Sequence, residues 1–274
     1  MPFLSIALLL IAACCHASWN LLAKRTTGRR DWIFTCSMLV GALVFSPAIV
    51  RGHLPPPALM LALLSAIAET AYFLLLARAY ERFDLSVVYP IGRGTAPILT
   101  AAVSSLYFGE RLSTTGIIGI ALIAIGIVIC TMHGGTFNGQ ALLISLAVGA
   151  SISTYTLIDG RAARLADPFA YTATVFALGA VMMIALHARR DGLRELRANF
   201  FAIAVIGVLM LVAYGLVVGA YKLSGVAYAA AVREVSIPLA AVAGRLVLGE
   251  PFGKARIAGS IVVAGGIALI AMAR

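Results

Sequence analysis

Apolar residues fall in long runs separated by short polar connections. A helix that crosses a bilayer needs about 20 predominantly apolar residues. Ten segments meet that length, at roughly 2–23, 32–50, 58–80, 85–108, 114–132, 140–158, 168–187, 200–221, 226–248 and 255–273. The connections carry turn residues: Arg51 to Pro57, Gly134-Gly135 through Asn138-Gly139, and Asp159-Gly160. The pattern predicts an all-α integral membrane protein of ten transmembrane helices, five in each half.

The halves are copies of each other. Adding 140 to a position carries Arg93 onto Arg233, Ala101 onto Ala241, Leu106 onto Leu246, Gly109-Glu110 onto Gly249-Glu250, Gly119 onto Gly259 and Gly126 onto Gly266. Pro97 meets Pro238 one residue out of step, as an old, diverged duplication would leave it. A repeat of this length is a domain-sized half and not a solenoid unit. The expected division is 1–135 and 136–274. Five helices is an odd number, so the second half must lie in the bilayer inverted relative to the first.

Composition agrees with the pattern. Apolar residues make up 62% and charged residues 12%, against about 45–50% and about 25% in ordinary globular domains. The net charge of +10 sits mainly in the connections, which points to orientation in a bilayer and away from nucleic acid. With the amino terminus outside, the inner connections hold Lys24, Arg25, Arg29, Arg30, Arg82, Arg189, Arg190, Arg194, Arg197, Lys254 and Arg256. Arg51, Arg111, Arg161, Arg164, Lys222 and Arg274 remain outside, a bias of eleven to six. Basic residues in short loops stay on the cytoplasmic side, so both termini are expected outside. Cys14, Cys15, Cys36 and Cys130 all lie in apolar runs and read as small buried hydrophobes. The first run has its Lys24-Arg25 pair behind it, the reverse of a secretory signal, and is expected to stay as a helix.

A charge at bilayer depth costs roughly 2.5–3.5 kcal/mol and needs a cavity or a partner. Few residues qualify. Arg93 stands between Gly92 and Gly94 and between Pro90 and Pro97, and Arg233 with Glu234 occupies the matching place before Pro238. Prolines in these two segments predict broken helices lining a cavity. A guanidinium there is either an anion ligand or half of an internal ion pair, with Glu69 or Glu234 as the partner. Adjacent on a helix, Arg233 and Glu234 are expected to point apart. Glu69, with Tyr72 three residues on and on the same face, either carries a coupling proton or neutralises an arginine. His16 and Asn20, spaced i, i+4 around Trp19, either face the pathway or bond neighbouring helices. Tyr155, Tyr171, Tyr214 and Tyr228 either line a pocket or serve packing and interfacial belts. Gly109-Glu110 and Gly249-Glu250 end their helices, the glycine as a C-cap and the glutamate bonding the first amides of the helix that follows. The glycines of the fifth and tenth segments permit close helix packing.

Nothing asks for catalysis: there is no phosphate-cradling Gly-rich loop ending in Lys-Ser/Thr, and no His/Glu zinc pair at helical spacing. No cofactor and no metal is expected.

LYFGERLS and LVLGEPFG at the ends of the fourth and ninth segments are each followed by a glycine-rich helix, IIGIALIAIGIVI or IAGSIVVAGGIALI. With HASWNLLAKR in the first, the chain resembles, over its whole length, the EamA family of the drug/metabolite transporter superfamily. The resemblance implies a permease for small metabolites, often an exporter, that works by alternating access of inverted halves around a central cavity. The two arginines point to an amino acid or another organic anion or zwitterion. The alternatives are a multidrug or lipophilic-cation exporter and a passive channel. The expected partners are a small-molecule substrate, the lipid bilayer and coupling protons, with the protein acting as a monomer or homodimer. Short loops favour a bacterial inner membrane.

Overall fold

The computed structural model describes residues 1–83, 85–131, 139–187, 191–248 and 253–273. Helices account for almost all of them, and no strand occurs among the described residues. In the first half they run α1 (Phe3–Arg25), α2 (Arg30–Val44), α3 (Ser46–Arg51), α4 (Pro56–Arg82), α5 (Leu85–Phe108) and α6 (Thr114–Thr131). The second half follows with α7 (Gly139–Ala162), α8 (Pro168–His187), α9 (Asp191–Ala198), α10 (Phe200–Leu223), α11 (Val226–Arg233), α12 (Ser236–Leu248) and α13 (Lys254–Met272). Among the described residues, five stretches are long and apolar enough to cross a membrane: Phe3–Ala23, Pro56–Leu76, Gly139–Ala162, Pro168–Leu186 and Phe200–Leu223. Shorter apolar helices run Asp31–Val44, Thr114–Ile129 and Ile257–Met272. Leu4, Ile11, Leu43, Ile67, Ile117, Leu143, Val181, Phe201 and Ile261 are exposed on the outside of the bundle, where lipid and not water suits them.

Several expectations change. The second apolar run bends at Phe45, just ahead of Pro47, and becomes α2 plus α3. The fourth run, expected to break at its prolines, is one continuous helix; the Thr95 hydroxyl donates to the carbonyls of Ile91 (2.8 Å) and Gly92 (3.2 Å) just upstream of Pro97, a way polar side chains steady proline-bearing spans. Of the two runs expected to break at their prolines, the ninth does so, between α11 and α12. Asp159-Gly160, expected as a turn, lies inside α7. Part of the connection after the seventh run forms the amphipathic helix α9. Cys36 is buried as expected, but Cys14 is exposed.

Helices pair across the halves. α1 packs on α10, α11 and α12; α4 and α5 pack on α7; α2 packs on α10 and α8 on α4; and α6 lies along α13. At that last crossing a Cβ on Gly119 would sit 2.8 Å from the Gly266 carbonyl oxygen, and one on Gly126 equally far from that of Gly259. Only glycine allows backbones that close, so the glycines of the two segments do pack as expected.

The connections gather at two ends. At one, the Met1 amine donates to Ala273 O (3.4 Å), Asp167 N to His53 O (2.9 Å) and Ser113 N to the Tyr228 hydroxyl (2.9 Å). At the other, Arg25 Nη2 donates to Val247 O (3.2 Å) and Asn199 Nδ2 to Thr27 O (3.0 Å). Arg51, Arg111, Arg161, Arg164 and Lys222 belong to the first end; Arg25, Arg29, Arg82, Arg194, Arg197 and Lys254 belong to the second.

Candidate functional site

The break between α11 and α12 organises the centre of the bundle. A proline ring collides with the carbonyl four residues before it, and for Pro238 that carbonyl belongs to Glu234. The helix stops there: Glu234 N turns to Ala231 O (3.1 Å), Val235 N to Val232 O (3.1 Å), and Ile237 N bonds Glu234 O (3.0 Å). Pro238 then falls in the first turn of α12, where its missing N–H costs nothing.

The tightened turn brings two side chains together that a continuous helix would have splayed. Arg233 Nη2 lies 3.5 Å from Glu234 Oε1, so these neighbours do not point apart as expected. From the first half, Arg93 Nη2 reaches Glu234 Oε2 at 2.7 Å. Repeat-mates thus hold one carboxylate between them, and the partner of Arg93 is Glu234 and not Glu69. Arg233 also donates through Nη1 to the Tyr221 hydroxyl (3.4 Å) and lies 6.0 Å from the centre of the Tyr155 ring. Arg233 and Glu234 are buried, and the Arg233 Nε has no hydrogen-bond partner.

Asp159 makes a second centre. Three helices deliver donors to it: Ser65 of α4 (2.6 Å) and Tyr171 of α8 (2.7 Å) to Oδ1, and Tyr214 of α10 (2.5 Å) to Oδ2. Sequence reasoning missed this residue because it stands near the end of an apolar run beside Gly160 and Arg161. The repeat held the missing signal: the first segment, 2–23, shifted by 140 covers 142–163 and takes in Asp159.

Glu69 lies between the two centres. It is buried, with Asp159, Tyr214 and Arg233 as its electrostatic neighbours. The one Tyr214 proton is given to Asp159, and Glu69 Oε2 has no hydrogen-bond partner. Tyr72, one turn on, meets the Tyr155 ring edge-on at 6.1 Å, and Tyr155 lies 6.4 Å from Tyr214. A wall of tyrosines therefore joins the acidic side to the arginines, with Tyr171 tied in through Asp159. Tyr228 stands apart, accepting from Ser113 at the end of the bundle.

His16 faces this centre, with Arg233 and Arg93 among its electrostatic neighbours, and accepts a hydrogen bond from the Trp19 indole at Nδ1 (3.0 Å). Trp19 packs edge-on against Phe34 at 5.9 Å, so it serves the helix packing. Asn20 is exposed and bonds the His16 carbonyl of its own helix (2.7 Å); it does not join the cluster.

Gly109 adopts a left-handed φ of +65° after α5, as a C-cap glycine should. Glu110 departs from expectation. Its carboxylate accepts from Ser104 Oγ and, across the halves, from Ala227 N in the first turn of α11 (3.3 Å), and not from α6. Gly249-Glu250 lies outside the described residues.

Comparison with known proteins adds four findings. The chain matches the EamA-like transporter family over residues 3–132 and again over 139–272. It is 30% identical over 214 residues to the uncharacterized protein PA1977 of Pseudomonas aeruginosa, covering 75% of this chain and 71% of that one. A shorter stretch of 66 residues, 24% of this chain and 61% of the relative, is 39% identical to the spermidine export protein MdtI of Shigella flexneri. A solved crystal structure superposes with a TM-score of 0.79 over 98% of this chain and 96% of its own, at 15% identity.

Proposed function

The chain belongs to the EamA-like transporter family and is a membrane transporter, and from that premise we propose that it exports a small zwitterionic metabolite of amino-acid type by alternating access. The observation that carries this reading is the pairing of Arg93 and Arg233 on Glu234, with the unpartnered Glu69 oxygen behind the tyrosine wall.

Charge bookkeeping supports the polarity of the site. With every group ionised, Arg93 and Arg233 against Glu69, Asp159 and Glu234 leave 2 − 3 = −1. An unbalanced buried charge is costly, so a proton or an ammonium group completes the cluster. An amino acid offers both poles: its carboxylate competes with Glu234 for the planar guanidinium forks, and its ammonium meets Glu69 and the tyrosine faces. A zwitterion adds no net charge, so the cluster needs one proton with or without it; held on Glu69 when the solute has left, that proton gives the exporter its coupling to a proton gradient. His16 lines the side facing the arginines.

Two halves, 1–135 and 136–274, ten spans and an inverted arrangement fit this mechanism. Helices exchange partners as a two-fold axis in the membrane plane requires: Gly119 meets Gly266 while its repeat-mate Gly259 meets Gly126. We place the protein in a bacterial inner membrane with both termini outside, so that the end carrying Arg25, Arg194 and Arg197 faces the cytoplasm.

The same excess negative charge and tyrosine wall favour a second reading, export of a polyamine or lipophilic cation; MdtI is named for the export of one polyamine, spermidine. Thermal stabilisation of the purified protein separates the two. A ligand at 100 times its dissociation constant stabilises a protein by about 2.7 kcal/mol. Stabilisation by amino acids that vanishes in Arg93→Gln is the expected result. Stabilisation by polyamines alone, lost in Glu69→Gln and kept in Arg93→Gln, would replace the zwitterion with a cation.

A further inference from the structure

Away from the central cluster, the end of the bundle that holds the termini carries a basic pocket. Arg51 closes α3, His53 follows it, Arg164 stands in the α7–α8 connection and Lys222 lies in the last turn of α10. The space between them measures about 540 Å³ and opens outward. The frame is fixed. Asp167 N donates to His53 O (2.9 Å), and Gly52 lets the connection pass close to Ala170, whose methyl a Cβ at Gly52 would meet at 2.7 Å.

The pocket keeps its positive charge. Its one carboxylate, Asp167, accepts from Phe169 N (3.1 Å) and Ala170 N (3.0 Å) and so caps α8. Arg51, Arg164 and Lys222 have no acidic partner among the described residues. Depth names the ligand. The apolar stretches ending at Ala162 and Leu223 and starting at Pro168 all meet at this level, where a bilayer places its phosphates. Apolar side chains stand exposed around it, Val50 at 83%, Leu223 at 41% and Leu165 at 39%, as acyl chains would need. We propose that this pocket binds the phosphodiester head group of an anionic phospholipid, its phosphate held by the Arg51 and Arg164 forks and Lys222.

The full-length protein in neutral detergent is titrated with phosphatidylglycerol, phosphatidylcholine or inorganic phosphate while its melting temperature is followed. Phosphatidylglycerol should raise it saturably. Each cation near an anionic lipid contributes about fivefold, so Arg51→Gln/Arg164→Gln/Lys222→Gln should need about a hundredfold more lipid for half the effect. Arg194→Gln/Arg197→Gln, at the opposite end, should respond like wild type. An equal rise with inorganic phosphate, lost in the same triple variant, supports the anion pocket and makes a free phosphate its ligand. Equal effects of phosphatidylglycerol and phosphatidylcholine, or an equal loss in the two charge variants, overturn the proposal.

Discussion

Glu234 sits between two guanidiniums at unequal distances, 2.7 Å from Arg93 and 3.5 Å from Arg233. The closer contact crosses from one half to the other, so it carries most of the compensation for burying the carboxylate. Removing one partner of a buried pair costs about 3–5 kcal/mol, mostly because the other is left uncompensated. Arg93→Gln should lose stability in that range. Glu234→Gln in the same background should recover much of it, and a denaturant-unfolding double-mutant cycle in detergent measures the coupling. Additive effects of the two substitutions would mean that the pair does not function as one. Legibility at this scale followed chemistry. Arg93, Arg233, Glu234 and Glu69 stand out in the sequence because each interrupts an apolar run. Asp159 does not interrupt one; only Ser65, Tyr171 and Tyr214, arriving from three other helices, make it central.

Two prolines act differently on their helices. Upstream of Pro97 a threonine hydroxyl supplements the backbone and α5 stays whole; at Pro238 the chain gives way and sets Glu234 at the turn. Both segments read alike in the placing of their prolines, which by itself does not decide whether a helix breaks there. The start of α11 shows the same limit. Its Ala227 amide is met by Glu110, 117 residues away, so sequence reasoning, which sees only neighbours, assigned that carboxylate to the wrong helix. Losing a side-chain cap costs about 1 kcal/mol. Glu110→Ala should lower stability by about that much and speed amide hydrogen exchange across 226–229, with no change at the start of α6. Faster exchange at 114–117 instead would return Glu110 to the helix that follows it.

At the scale of the whole molecule the repeat was the most legible feature, because its 140-residue offset is written in identical residues and the family match falls on both halves. Handedness in the membrane is a weaker signal, carried by eleven basic residues against six. The structure adds the geometric half of that argument, since the described members of the two sets collect at opposite ends. Which end faces the cytoplasm follows from charge alone, and it can be measured with Cys14, Cys15, Cys36 and Cys130 replaced by serine. Arg164→Cys should react with a membrane-impermeant maleimide in intact cells, and Arg194→Cys only after permeabilisation. The reverse result would turn the protein over and set the proposed lipid pocket in the cytoplasmic leaflet while leaving the packing of the helices unchanged. Reaction of both from one side would do more damage: the two ends would no longer be the two faces of a membrane, and alternating access between them would lose its basis.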